Sequence, residues 1–363
     1  MKKYTKDELS LIWLDSFLGL EYKHKVEIYN IIKNSEKISQ GLHQAKNYIE
    51  KNIGQSEYNT LINSANQNYL DYILGELDKK DISAMTIDSK AYPESLKNIE
   101  LKPLVLYYKG NINLLNENIF AIVGSRKSLP LSLSLAKDYS KKLLNHFTLI
   151  TGIAEGVDSA VIKTALENGG KVISVVAGGF DNIYPSNNQG LAEQVAKEGL
   201  LISEHPPRVV SKPYFFPIRN RIIAGLAQGV LVASGGIKSG TLYTAEYAGE
   251  YGKDLFAVPY NVGVKSGEGC NELIKRGAIL TDNPKDILEF YGLEDKETIV
   301  QLSETEKDII KALSNGQMHI EKLSAVLNKR TFEIMPTLSI LEIKGMVAKG
   351  GNVYELVRKY SEE

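Results

Sequence analysis

From Asn118 to about Tyr291 the chain alternates apolar runs of strand length with amphipathic stretches, and few architectures accommodate that rhythm. Strands that are apolar throughout must be covered on both faces, and the segments between them carry one polar stripe each. A parallel sheet with helices on both faces satisfies both demands. The pattern predicts strands near 119–123, 147–151, 171–177, 200–203, 229–233, 254–258 and 278–281. It predicts helices near 128–146, 156–168, 188–198, 218–227, 240–251, 270–276 and 284–291. In open sheets of this kind, ligands bind beyond the carboxyl ends of the strands. Four candidate loops fall at those ends: Gly124-Ser125-Arg126, Thr151-Gly152, Ala177-Gly178-Gly179 and Ser234-Gly235-Gly236.

The flanks follow other rules. Over residues 1–82, Leu9, Ile12, Trp13, Phe17 and then Val26, Tyr29, Ile32 recur at helical spacing, which predicts a small helical domain. The core is expected over 83–292, entered by an extended run that ends at Gly110. Residues 293–300 are polar and acidic, a linker. Beyond them Ser303 and Glu306 form a capping-box pattern that opens a helix through Leu313, followed by helices at His319–Leu327 and Thr331–Ile343. With a hairpin at Gly345 and Gly350-Gly351 this makes a winged-helix pattern over 301–363. Its third helix carries Glu333 and Glu342 with only Lys344 at its end, which argues against major-groove reading.

Composition narrows the class. With 363 residues, 43% apolar and 24% charged, the chain has the make-up of a globular protein with a large core. The start, MKKYTKDELS, lacks the apolar stretch of a secretion signal, and no run reaches the length of a bilayer span, so no membrane partner is expected. One cysteine, Cys270, excludes an internal disulfide framework and fits the cytoplasm. The five histidines show no ligand spacing with one another or with Cys270, so neither a metal nor a cofactor is expected. Glu155, Asp158 and Glu246 are the acids near the candidate loops, too scattered to name an acid-base pair.

Charge is concentrated instead. The formal net charge is -1, yet no acid occurs between His205 and Ala245, where Arg208, Lys212, Arg219, Arg221 and Lys238 all lie. That points to an anionic ligand. Phe216-Pro217-Ile218-Arg219-Asn220-Arg221 places guanidiniums beside aromatics, the pairing with which a single-stranded nucleic-acid groove holds phosphates and stacks bases. The structural alternative is that the arginines bind carboxylates within the protein. Lys238-Ser239-Gly240-Thr241 sets hydroxyls and a glycine at a helix start, where a phosphate can lie; it is neither a Walker A loop nor a dinucleotide fingerprint. Gly124-Ser125-Arg126 joins a strand to a helix and adds one more guanidinium.

Taken in order, Gly124-Ser125-Arg126, Thr151-Gly-Ile-Ala-Glu-Gly-Val-Asp158, Tyr184-Pro185, Ser203-Glu204, Phe216 to Arg221, Ser239 to Ala245, Ala257-Val-Pro259 and Gly269 to Ile274 resemble the DNA-processing protein A family, DprA or Smf. The resemblance implies an extended Rossmann-like α/β core, with a parallel or mixed sheet, between a small helical domain and a winged helix. It implies a non-catalytic protein that binds single-stranded DNA, protects DNA entering during natural transformation, loads the RecA recombinase and forms a homodimer. Carried onto this chain, Gly124, Ser125, Arg126, Gly152, Lys212, Arg219, Asn220, Arg221, Lys238, Ser239, Gly240 and Thr241 would line the DNA site. The chain departs from the family pattern at Glu155, where an arginine is usual, at Ile162, at Ser234 and at Tyr260. A rival of another class is a nucleotide-sensing or nucleoside-phosphoribosyl hydrolysing enzyme, whose glycine-rich loop Ser234 to Thr241 distantly resembles; such enzymes carry a catalytic glutamate on the following helix, where this chain has Glu246 five residues after Thr241 instead of three.

Overall fold

The computed structural model describes residues 4–294, 302–343 and 346–356. The chain divides into two compact units, residues 1–295 and 296–363. Most of the expected linker, Gly345 of the expected hairpin and the tail after 356 lie outside the described residues.

The first unit opens with five helices: α1 (Lys6–Asp15), α2 (Tyr22–Ile32), α3 (Ile38–Asn52), α4 (Gln55–Ser64) and α5 (Gln67–Lys79). Thr5 starts α1 through a capping box with Glu8, which satisfies backbone donors that a helix start otherwise leaves open. Trp13, Ile28, Leu42 and Ile49 are buried and share one apolar cluster with Ala84, Val105, Tyr107, Ile162 and Val172. The helical segment therefore packs on one face of the sheet through a continuous core.

Next come β1 (Ser83–Thr86), the single turn α6 (Glu94–Lys97) and β2 (Val105–Gly110). The alternating part then runs β3 (Ile119–Val123), α7 (Pro130–Leu143), β4 (Thr148–Thr151), α8 (Val157–Glu167), β5 (Val172–Val176), α9 (Gln189–Glu198), β6 (Leu200–Ser203), α10 (Phe215–Leu226), β7 (Gly229–Val232), α11 (Thr241–Glu250), β8 (Asp254–Ala257), α12 (Glu268–Lys275), β9 (Ile279–Leu280) and α13 (Pro284–Phe290). All seven strands and seven helices expected between 118 and 291 are present. Element ends shift by up to three residues, and two differences have a clear physical cause. Helix α10 begins at Phe215, three residues earlier than expected, because Pro217 is tolerated in a first turn where backbone donors have no partner anyway. And β1, four residues with mixed burial, carries too short an apolar run to register as a strand.

The nine strands lie in the order β1-β2-β6-β5-β4-β3-β7-β8-β9. From β6 to β9 the pairings are parallel, whereas β2 runs antiparallel to β6 and to β1. The sheet is thus mixed, with an antiparallel hairpin on one edge of a Rossmann-like core. Strand order reverses between β3 and β7, so the loops leaving these two strands are neighbours and open a crevice between them. Phe120 fills the centre of the face below, its ring centroid 5.3 Å from that of Phe147 and 5.8 Å from that of Phe256.

The second unit holds α14 (Glu304–Leu313), β10 (Met318–His319), α15 (Ile320–Leu327), α16 (Thr331–Ile343), β11 (Val347–Gly350) and β12 (Val353–Leu356). Its strands form an antiparallel sheet in the order β10-β12-β11. The capping box of Ser303 and Glu306 opens α14 as expected. Ile309, Leu323, Ile334, Leu338 and Leu341 make its core.

Candidate nucleic-acid interface

A cavity of about 760 Å³ opens at the crevice between the β3 and β7 loops. Gly124, Ser125, Arg126 and Lys127 leave β3 to form one wall; Phe216, Pro217, Arg219 and Asn220 at the start of α10 form another; Ser239, Gly240, Thr241 and Thr244 at the start of α11 close a third. Ala154 and Asp158 come in from the start of α8, and Tyr184, Ser211 and Pro213 border the mouth. The loops are tied to each other. The Ser125 N–H donates to the Ser234 hydroxyl at 3.2 Å, and the Asn220 amide donates to the Gly240 carbonyl at 3.2 Å. Gly156 permits the α8 start to lie against the β3 loop: its φ is +79°, and a Cβ there would sit 2.3 Å from the Ser125 carbonyl oxygen.

Of the five cations in the acid-free stretch, only Arg219 reaches the cavity. It is 7% exposed, its Nε donates to Asn220 Oδ1 at 3.1 Å and its Nη1 donates to the Val175 carbonyl. Burial pushes its pKa down to about 10, against the opposing pull of the Asp158 carboxylate. Asp158 is equally buried and accepts a hydrogen bond from the Ala154 N–H at 3.2 Å. Burial raises its pKa, with Arg219 pulling the other way. Both side chains lean over Gly152, where a Cβ would lie 2.3 Å from Asp158 Oδ2 and 2.6 Å from Arg219 Nη2. Gly152 is therefore the space that admits this pair rather than part of the lining.

Several expected site residues take other roles. Arg221 points away: its Nη2 pairs with Glu204 and its Nε donates to the Leu101 carbonyl at 2.9 Å. One residue apart from Asn220 and two from Arg219, it emerges on the opposite side of α10, as a helical step of about 100° per residue requires. Arg208 pairs with Glu76 of α5. The acids that the stretch itself lacks are supplied by neighbouring segments. Lys212 sits 5.9 Å from the Tyr214 ring centroid, exposed and outside the lining, and Lys238 is likewise exposed and outside it. Asn220 spends both ends of its amide bracing Arg219 and Gly240. Ser239 and Thr241 hydrogen-bond to each other at 3.1 Å, and the Ser125 hydroxyl donates to the Lys127 carbonyl at 3.2 Å, so these hydroxyls shape the walls.

The rim compensates. Arg126 is exposed and stands 4.7 Å from the centroid of Phe216, whose ring meets that of Tyr184 edge-on at 5.7 Å. Lys127 and Gly240 are exposed beside it, and Gly240 leaves open space at the positive end of α11. Sequence reasoning passed over Lys127, Ser211, Pro213 and the pocket-facing role of Asp158. Lys127 was within reach, since it directly follows Arg126 after a strand. Glu155, the departure that removes a positive charge, is exposed and does not line the cavity. Cys270 is buried with its thiol 3.6 Å from the Val232 carbonyl, and burial pushes its pKa up to about 12, far from nucleophilic use. Among the described residues no cluster of acids, histidines or cysteines could hold a metal ion, and no helix is long and apolar enough to cross a membrane.

Comparison with known proteins places the sheet that carries this crevice in a family. The profile of the DNA recombination-mediator protein A family matches residues 83–292. The chain belongs to that family. The DNA processing protein DprA of Streptococcus pneumoniae is 38% identical over 205 residues, 56% of this chain and 73% of that protein. Its Bacillus subtilis counterpart is 37% identical over 227 residues, 60% of this chain and 74% of that one. In three dimensions the S. pneumoniae DprA crystal structure superposes with a TM-score of 0.68 at 30% identity, covering 79% of this chain and 98% of that one. A Helicobacter pylori DprA structure described for its single-stranded DNA binding mode superposes with a TM-score of 0.52 at 29% identity, covering 58% and 95% of the respective chains.

Proposed function

We propose that this protein binds single-stranded DNA in the crevice between β3 and β7 and hands it to a RecA-type recombinase during uptake of DNA by transformation. The observation that carries the reading is the rim: Arg126 and Lys127 lie beside Phe216 and Tyr184, cations for phosphates next to rings for bases. The H. pylori relative, whose structure concerns single-stranded DNA binding, supports the same ligand. The reading includes a cytoplasmic homodimer without enzymatic activity, with domains bounded at 82, 292 and 300. The hydrolase alternative needs a carboxylate on α11; Glu246 is exposed on that helix and stands outside the cavity, which favours binding over hydrolysis.

The second unit fits a winged helix that serves protein contact. Its third helix, α16, buries Ile334, Leu338 and Leu341 and exposes Phe332, Met335 and Ile340, an apolar face rather than the basic one that a DNA-reading helix presents.

The test is a titration of single-stranded against double-stranded DNA at several salt concentrations. The expected outcome is tighter binding of the single strand, with log affinity falling linearly against log salt as counterions are released. Release of free base from nucleoside monophosphates at enzymatic rates would instead establish the hydrolase.

A further inference from the structure

Charge is sorted by depth in this cavity. The exposed rim holds Arg126, Lys127 and the start of α11. The buried floor holds one cation, Arg219, and one carboxylate, Asp158, each 7% exposed. Two nitrogens of Arg219 are already committed to Asn220 and to the Val175 carbonyl. A phosphate driven to the floor would lose its water and meet a carboxylate across a short, poorly screened distance, with a largely engaged guanidinium as its only return. The floor has a net charge near zero and offers an acceptor beside a donor. Val123 and Ile223, both buried, contribute apolar lining around them.

That combination suits the edge of a nucleobase, which is planar, neutral and carries N–H groups. We propose that Asp158 is the specificity-determining residue that turns a nucleotide base-inward: its carboxylate accepts an N–H from the Watson–Crick edge and turns phosphates back to Arg126 and Lys127. The inference rests on the single-strand reading above and assigns the orientation of the ligand within it. A base held this way contributes through hydrogen bonding as well as stacking, so the site distinguishes bases by their edge donors.

Two measurements on the full chain test it. With the wild-type protein, an oligothymidylate is compared with one whose thymines are methylated at N3, a change that removes the donor and keeps the ring and the phosphates. About a tenfold loss of affinity is expected; equal affinity overturns the inference. In the second, Asp158→Asn keeps the shape and removes the charge. Inorganic pyrophosphate should then displace bound oligonucleotide at several-fold lower concentration than from the wild type, and an unchanged competition curve overturns the inference. The wild-type comparison stands even where the variant fails to fold. Should the unmodified oligonucleotide bind with the expected salt dependence while both measurements show no difference, the inference falls and the single-strand reading stands. Should no oligonucleotide bind, both fall together.

Discussion

Arg219 and Arg221 stand two residues apart on α10, have the same side chain and are both buried, yet they belong to different parts of the molecule. Arg219 lines the cavity, and its charge is opposed by burial and supported at a distance by Asp158. Arg221 is locked by Glu204 and the Leu101 carbonyl, joining the strand-end loop after β6 and the segment before β2 to the helix. A guanidinium held for structure has its donors filled by the protein. Arg219 also spends donors on the protein, on Asn220 and the Val175 carbonyl, yet it lines the cavity. The difference is fixed by the helical step between them, and it separates what stabilises the fold from what the fold presents.

The sharpest way to break this contrast is Arg221→Ala. Removing one partner of a buried ion pair leaves Glu204 without its cation, and a loss of about 3–5 kcal/mol of unfolding free energy is expected. Urea or guanidinium denaturation reads it. Single-stranded DNA affinity, measured where the variant is still folded, should stay within about threefold of the wild type. The double variant Arg221→Met with Glu204→Leu should recover most of the stability, since apolar groups of similar size replace such pairs at little cost.

Arg219→Gln is the converse. Loss of the one cation on the cavity floor should weaken oligonucleotide binding by about tenfold or more in a fluorescence titration. Stability should fall by less than for Arg221→Ala, for a reason with a definite sign. Burial holds the Arg219 pKa at about 10, below its ordinary value. A cation whose pKa falls on folding opposes folding at neutral pH, and the opposition eases only as pH climbs past about 10. Asp158, already raised by burial, can take up a proton once its partner is gone. Equal losses of stability in the Arg219 and Arg221 variants would remove the distinction between the two.

Arg126→Ala ranks third. The residue is exposed, so its contact with phosphate is screened, and an effect of several-fold is expected. Its more specific signature is the salt dependence. Removal of one phosphate contact should flatten the slope of log affinity against log salt by about 0.7. A variant with wild-type slope would move the phosphate path away from the β3 loop.

How much of this could be read from the sequence follows from the kind of signal each feature leaves. Strands buried on both faces, such as Phe120 to Val123 and Val230 to Val232, are uniformly apolar, and their periodicity is local, so the sheet and the four loops at its carboxyl edge were legible. The hairpin strand β1 was not, because Ser83 to Thr86 owes its pairing to β2, which the sequence leaves unspecified. The cavity was legible as a region and illegible as a list of lining residues. Of the cations expected at the site, Arg219 from the acid-free stretch and Arg126 from the β3 loop line the cavity, but Glu76 and Glu204 come from distant or preceding elements to claim Arg208 and Arg221. Spacing alone said that Arg219 and Arg221 cannot share a face; which one faces the crevice depends on how α10 is rotated against β5. Asp158 was visible as a residue and invisible as a lining group, because its approach requires Gly152 to be bare.

The weakest test addresses the departure from the family pattern at Glu155. The residue is exposed, on the loop that leads into α8, and does not line the cavity. Glu155→Arg restores the usual charge at a position where water and salt screen it over about 8–10 Å. The change should strengthen single-strand binding by less than about threefold at physiological salt, mostly through faster association, and the gain should shrink as salt rises. Stopped-flow mixing at two salt concentrations resolves the rate. A gain of tenfold or more that survives high salt would mean that residue 155 touches the strand directly, and the binding path would then extend from the cavity across the start of α8.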